Sequence, residues 1–119
     1  MKDVDNKLRE LAVRHAEISH EIKTNLERAS IELRYCKNGD FDVEDMAPYS
    51  TCLNHAYYTV ERLNREIEDD EWPETYDHIL ANYGCRHCIT ARKLKKHVSA
   101  LRSERGRIHS AITNIGKTL

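Results

Sequence analysis

Apolar side chains recur along the first third of the chain at steps of three or four residues. This spacing places them on one side of an α-helix, and charged residues occupy the other sides. We therefore predict a helix over residues 3–37, ended by Asn38-Gly39. The apolar or neutral positions of this stripe are Val4, Leu8, Leu11, His15, Ile18, Ile22, Leu26, Ala29, Leu33 and Cys36.

The last third of the chain carries a second stripe, whose steps alternate between four and three residues. Its members are Leu94, Val98, Leu101, Arg105, Ile108, Ile112, Ile115 and Leu119. Such a near-heptad pattern predicts a long helix over residues 85–118, with Arg105 as the charged member of its seam. Gly106 costs about 1 kcal/mol relative to alanine inside a helix, and indicates a kink or a close approach to a neighbour.

Residues 39–84 differ from both flanking segments because aromatic and acidic side chains are concentrated there. All eight aromatic residues of the chain lie between Tyr35 and Tyr83. We predict two shorter helices in this middle segment. The first covers about 48–70, since a proline suits a first turn, and the second ends at Gly84.

These patterns together predict an all-α protein that forms a single domain over residues 1–119. Its long N- and C-terminal helices are expected to pack as an antiparallel, coiled-coil-like hairpin, with a short helical, aromatic-rich middle. The two apolar seams exceed what one chain can cover, and we therefore also predict a homodimer.

The formal net charge of -1 hides a strong segregation of charge along the chain. Residues 1–38 contain 8 Lys/Arg and 7 Asp/Glu, residues 39–84 contain 2 and 12, and residues 85–119 contain 9 and 1. Blocks of like charge often mark interaction surfaces. The alternative is that the acidic and basic segments neutralise one another within the fold.

The chain has no apolar run of signal-peptide type, and none that approaches the roughly 18 residues of a membrane span. We therefore expect a cytoplasmic protein that does not associate with membranes. In a reducing compartment, its four cysteines are expected to be thiols or metal ligands rather than disulfides.

Cysteine spacing gives the most specific chemical signal in the sequence. Cys85-x-x-Cys88 follows a glycine and precedes a helix, so both sulfurs can reach one ion from a tight turn. Cys52-x-x-His55 places two further ligands on one side of another helix. We predict a structural zinc site formed by these four residues, with Cys36 as the alternative fourth ligand; otherwise the thiols are small buried apolar groups.

The basic character of the last helix suggests an alternative role in binding a phosphate backbone. Against it, the helix carries no aromatic side chains for base stacking. The candidate nucleic-acid-binding residues are Arg92, Lys93, Lys95, Lys96 and Arg102.

Motifs that indicate catalysis are missing from the sequence. It contains no phosphate-binding glycine loop, no Gly-x-Ser-x-Gly and no His-Glu-x-x-His. We therefore expect a non-enzymatic regulatory protein. The segregated acidic and basic helical surfaces would bind a macromolecular partner, for which we favour a protein, and a DNA- or RNA-binding regulator is the alternative.

One stretch of the last third resembles a known group of proteins. It reads Cys85-x-x-Cys88, then Thr90-Ala91-Arg92-x-Leu94, and ends Ile112-x-x-Ile115-Gly116-Lys117. This stretch is similar to the tail of small, mostly uncharacterised helical accessory proteins of tailed phages and prophages. The resemblance implies a non-essential factor that acts on a host or phage machine in the host cell cytoplasm, and it implies no catalytic residues.

Overall fold

The computed structural model describes residues 2–37, 51–66 and 73–118, and about nine-tenths of these residues are α-helical. No strand occurs in these ranges, which confirms the all-α prediction, and the long first and last helices contact each other as a helical hairpin. None of the described helices is long and apolar enough to cross a membrane. The helices are α1 (Lys2–Arg34), α2 (Cys52–Arg65), α3 (Tyr76–Tyr83) and α4 (Arg86–Thr118).

Contacts within the chain divide it into two compact units. The hairpin unit consists of Met1–Arg28 and Leu94–Leu119, and the cysteine unit consists of Ala29–Lys93. Helices α1 and α4 therefore contribute residues to both units. The single domain expected from the sequence stays a prediction.

The core of the hairpin unit is formed by aliphatic side chains from the two predicted stripes. Full burial of one such side chain contributes about 1.5–3 kcal/mol. Arg105, the charged position in the seam, is only half-buried, and its guanidinium donates a hydrogen bond to the Ser19 hydroxyl at 3.4 Å. The buried members of this aliphatic cluster are Ile18, Ile22, Val98, Leu101 and Ile108.

The core of the cysteine unit draws on three helices and includes two thiols. Hydrogen bonds hold the short helices together: the Asn64 amide donates to the Glu74 carbonyl at 3.0 Å and accepts from its backbone N–H at 2.8 Å. The Tyr76 hydroxyl donates to the carbonyl of Leu53. The buried members of this core are Cys52, Leu53, Ala56, Ile79, Leu80 and Cys88.

The end of α1 and both ends of α2 differ from the sequence prediction. Helix α1 ends at Arg34 rather than at residue 37, since the next two backbone N–H groups bond to carbonyls three residues back, as in a 3₁₀ turn. Helix α2 begins at Cys52 because Thr51 is extended and its hydroxyl accepts from the Asn54 backbone N–H. Helix α2 ends at Arg65, with Glu66 as its C-cap, rather than near residue 70. Residues 48–50 and 67–70 of the predicted range lie outside the described residues.

The two glycines singled out in the sequence behave differently. Gly84 is the C-cap of α3, as predicted, and its backbone N–H donates to the Leu80 carbonyl at 2.7 Å. Helix α4 continues through Gly106, and a Cβ added there would meet no atom within 4 Å among the described residues. Among the described residues, the predicted close approach to a neighbour is therefore not found at Gly106.

Candidate metal centre

Four cysteines that are distant in sequence come together within the cysteine unit. Cys36 lies just beyond the end of α1, and Cys52 is the first residue of α2. Cys85 lies in the link between α3 and α4, and Cys88 is in the first turn of α4. The cluster therefore joins three separate parts of the chain.

Helix ends place each sulfur at the cluster. Thr51 caps the start of α2, which fixes Cys52 at the first helical position. Gly84 ends α3, so that Cys85 leaves that helix before α4 begins. The Cys88 backbone N–H then donates to Cys85 Sγ at 3.4 Å, closing a tight turn around this sulfur.

The four sulfur atoms are close enough to bind a single ion. All four Sγ atoms lie within 4.8 Å of one another, and Cys36 Sγ and Cys52 Sγ are 3.4 Å apart. In a tetrahedral zinc site with bonds of about 2.3 Å, neighbouring sulfurs are roughly 3.8 Å apart. The observed spacing brackets this value, whereas an iron–sulfur cluster would need more room between the sulfurs for its several iron and sulfide atoms.

Burial of the cluster is uneven. Cys52 and Cys88 are 0% exposed, whereas Cys36 and Cys85 are half-buried. The two buried sulfurs give the site a dry interior. A bound cation would remain shielded from water on that side, while the half-buried sulfurs leave a path by which it can enter.

The surroundings of three of the thiols shift their pKa values away from that of a free cysteine. Burial raises the pKa of Cys52 to about 12, and it also raises the pKa of Cys88. Burial acts in the same direction on Cys85, but hydrogen bonds from the backbone N–H groups of Lys37 and Cys88 and from neighbouring thiols lower its pKa to about 7. A bound cation would stabilise all four thiolates, since a coordinating thiol is deprotonated.

Polar contacts brace the helices that carry the cysteines. The Arg92 guanidinium lies 4.6 Å from the centre of the Tyr76 ring and also pairs with Asp77 at 3.1 Å. His87, between the two cysteines of the Cys-x-x-Cys motif, contacts Glu32 through Nδ1 at 2.7 Å. These contacts tie the start of α4 to α3 and to the end of α1.

The structure brings together three of the four ligands predicted from the sequence. Cys52, Cys85 and Cys88 lie together, and the fourth member of the group is Cys36, the alternative ligand. His55, which the sequence favoured as the fourth ligand, does not belong to the group. Sequence spacing could not distinguish the two residues. Cys36 belongs to the site because the end of α1 lies next to the start of α2, and this contact joins residues that are distant in sequence.

The candidate nucleic-acid-binding residues do not form one set in the structure. Arg92 is half-buried against Tyr76 and paired with Asp77. The other four are exposed on α4; they are Lys93, Lys95, Lys96 and Arg102. Arg92 therefore contributes to the packing of the cysteine unit rather than to an open basic surface.

Comparison of the chain with protein-family models, curated proteins and solved structures gives no match in any of the three. The resemblance to phage accessory proteins therefore stays a prediction.

Proposed function

We propose that Cys36, Cys52, Cys85 and Cys88 bind one zinc ion in a closed structural site, and that the protein acts by binding a macromolecular partner rather than by catalysis. The observation that carries the proposal is the mutual approach of four sulfur atoms within 4.8 Å. Tetrahedral sites with four thiolate ligands are typical of structural zinc.

The number of ligands supports a structural role. Catalytic zinc sites keep one coordination position for water or substrate, whereas four cysteines fill the tetrahedron. The ion would join the end of α1, the start of α2 and the start of α4. Because α2 and α3 have only 14 and 8 residues, they gain little stability as isolated helices and depend on such cross-links.

Metal analysis of protein purified without chelator tests this proposal. We expect one zinc per chain, and a chelator should lower the melting temperature of the native protein. Zinc well below one per chain, together with unchanged melting in chelator, would show that the cysteines are ordinary core residues. One iron per chain in place of zinc would support a four-cysteine metal site but would show that zinc is not the ion it binds.

A pair of variants identifies the fourth ligand. Cys36→Ser should reduce zinc affinity at least a hundredfold, because it removes a thiolate from the tetrahedron. His55→Gln is the matched control and should leave affinity within about threefold, since His55 is not in the group. The opposite pattern would assign the fourth position to His55.

A further inference from the structure

One edge of the hairpin unit carries a network of ion pairs centred on Arg14. Arg14 donates to both carboxylate oxygens of Glu104, at 3.0 and 3.2 Å. Arg14 also lies 3.4 Å from Glu17 and 3.8 Å from Glu21. We call this side of the α1–α4 pair the paired edge. Because α1 and α4 are antiparallel, the Arg14–Glu104 contact also determines which residues of the two helices lie at the same height along the hairpin.

The opposite edge follows from this contact and from helical geometry. Lys23 on α1 and Lys95 on α4 are each nine residues from the pair, about two and a half turns, and therefore lie level with each other on the far side. Arg9 and His109 are each five residues away in the other direction and also face away from the paired edge.

Arg102 completes this second edge, because it lies two residues before Glu104 and so faces away from the paired edge. We call the resulting set the basic edge, and it spans roughly 21 Å at 1.5 Å per residue. All of its members are exposed. They are Arg9, Lys23, Lys95, Arg102 and His109.

The two edges differ in how their charges are satisfied. Among the described residues, no carboxylate lies within ion-pairing distance of the basic-edge side chains. By the same geometry, however, two exposed carboxylates lie on this side of α1: Asp5, nine residues before Arg14, and Glu27, four residues after Lys23. On α4 the sole acid is Glu104, which the paired edge already uses.

We propose that the basic edge binds the phosphate backbone of a nucleic-acid duplex, which names the partner class for the binding role proposed above and rests on that proposal. Phosphate contacts require positive charge and no apolar centre. A protein interface instead centres on large apolar or aromatic side chains. The α1 residues that lie along this edge are small, as at Ala12, Ala16 and Ser19, which favours phosphate over an acidic protein segment.

Fluorescence anisotropy with a labelled 20-base-pair duplex of random sequence tests the proposal on the full zinc-loaded chain. We expect the logarithm of affinity to fall with the logarithm of salt concentration with a slope of about -3 to -4, since four Lys/Arg side chains meet phosphates. The triple variant Lys23→Gln/Lys95→Gln/Arg102→Gln should lose about a hundredfold in affinity at 0.1 M salt and most of that slope.

A charge-matched control separates the basic edge from net charge. Lys7, Arg28 and Arg107 are exposed and lie on the same side of their helices as Arg14 and Glu104. The triple variant Lys7→Gln/Arg28→Gln/Arg107→Gln removes equal charge and should change affinity less than about threefold. Equal loss in both triple variants, or no salt-dependent binding by the native protein, would overturn the proposal.

Two further readouts keep the outcomes distinct. Polyglutamate that displaces the duplex at equal charge concentration would assign the edge to an acidic protein and would overturn the proposal. Zinc content and circular dichroism are measured on the same samples. A folded, zinc-free protein that binds the duplex through the basic edge would refute the metal site and support this inference. A zinc-loaded, folded protein that does not bind the duplex would support the metal site and refute this inference.

Discussion

The two units of this protein bury different kinds of side chain, although α1 and α4 contribute to both. The hairpin unit buries only isoleucine, valine and leucine in its core cluster, from helices of 33 residues each. The cysteine unit includes two thiols in its core and relies on helices of 14 and 8 residues. Long helices with a continuous apolar stripe can be stabilised by packing alone, whereas short helices need further cross-links.

Two of the most buried side chains among the described residues are cysteines. Cys52 and Cys88 are 0% exposed, as are few other side chains. A thiol buries less apolar area than leucine or isoleucine and so contributes less to a core by transfer from water. The metal ion proposed for this site would supply stabilisation that the small core of the cysteine unit lacks.

The largest expected effect comes from Cys88→Ser. The variant should lose zinc and lower the free energy of unfolding of the cysteine unit by several kcal/mol, on the order of 5, because metal binding and folding are coupled. Thermal melting and amide exchange of α2 and α3 measure this change. A chelator should reproduce it in the native protein and add nothing to the variant; a chelator effect of equal size in the variant would contradict the account.

A core truncation in the hairpin unit should have the next largest effect. Ile18→Ala removes a side chain that is 0% exposed, and we expect a loss of about 3 kcal/mol from burial and cavity formation. Denaturant unfolding at fixed zinc concentration measures it. Val13→Ala is the matched control, since Val13 is 53% exposed, and it should cost less than about 0.5 kcal/mol. Similar losses in the two variants would argue against the aliphatic seam.

Gly84→Ala should destabilise the cysteine unit by a smaller amount. A Cβ at this position would lie 2.6 Å from both the carbonyl oxygen and Cδ1 of Leu80, and the carbonyl belongs to the backbone of α3. Overpacking of this kind costs about 1–3 kcal/mol, which thermal melting would detect. Unchanged stability would mean that the end of α3 moves freely to make room.

Gly106→Ala should have the smallest effect, and in the opposite direction. Position 106 is inside α4, and an added Cβ meets no described atom within 4 Å. Replacing a helical glycine by alanine then stabilises the protein by up to about 1 kcal/mol. A decrease in the melting temperature would instead show that the glycine serves a contact outside this structure.

The hairpin was predictable from the sequence because its determinants are periodic. Ile18, Ile22, Val98, Leu101 and Ile108 all belong to the two stripes that predicted the long helices. The helix ends were harder to place, because α2 begins only where the extended Thr51 can cap it. Local hydrogen bonds of this kind leave a weaker trace in the sequence than a repeating apolar pattern.

The two candidate sites were only partly predictable, for a shared physical reason. Cys85 and Cys88 are only three residues apart, so their spacing alone indicated a metal site. The choice between Cys36 and His55 depends on contacts between distant segments, which no spacing encodes. The basic edge likewise combines residues from α1 and α4, and it became visible only when the Arg14–Glu104 pair fixed the register of the two helices.

X-ray absorption at the zinc edge, on protein purified without chelator, shows directly which atoms surround the ion. We expect four sulfur neighbours at about 2.3 Å and no nitrogen neighbour. Three sulfurs with one nitrogen at about 2.0 Å would replace Cys36 by a histidine, and the absence of stoichiometric zinc would contradict the metal centre altogether.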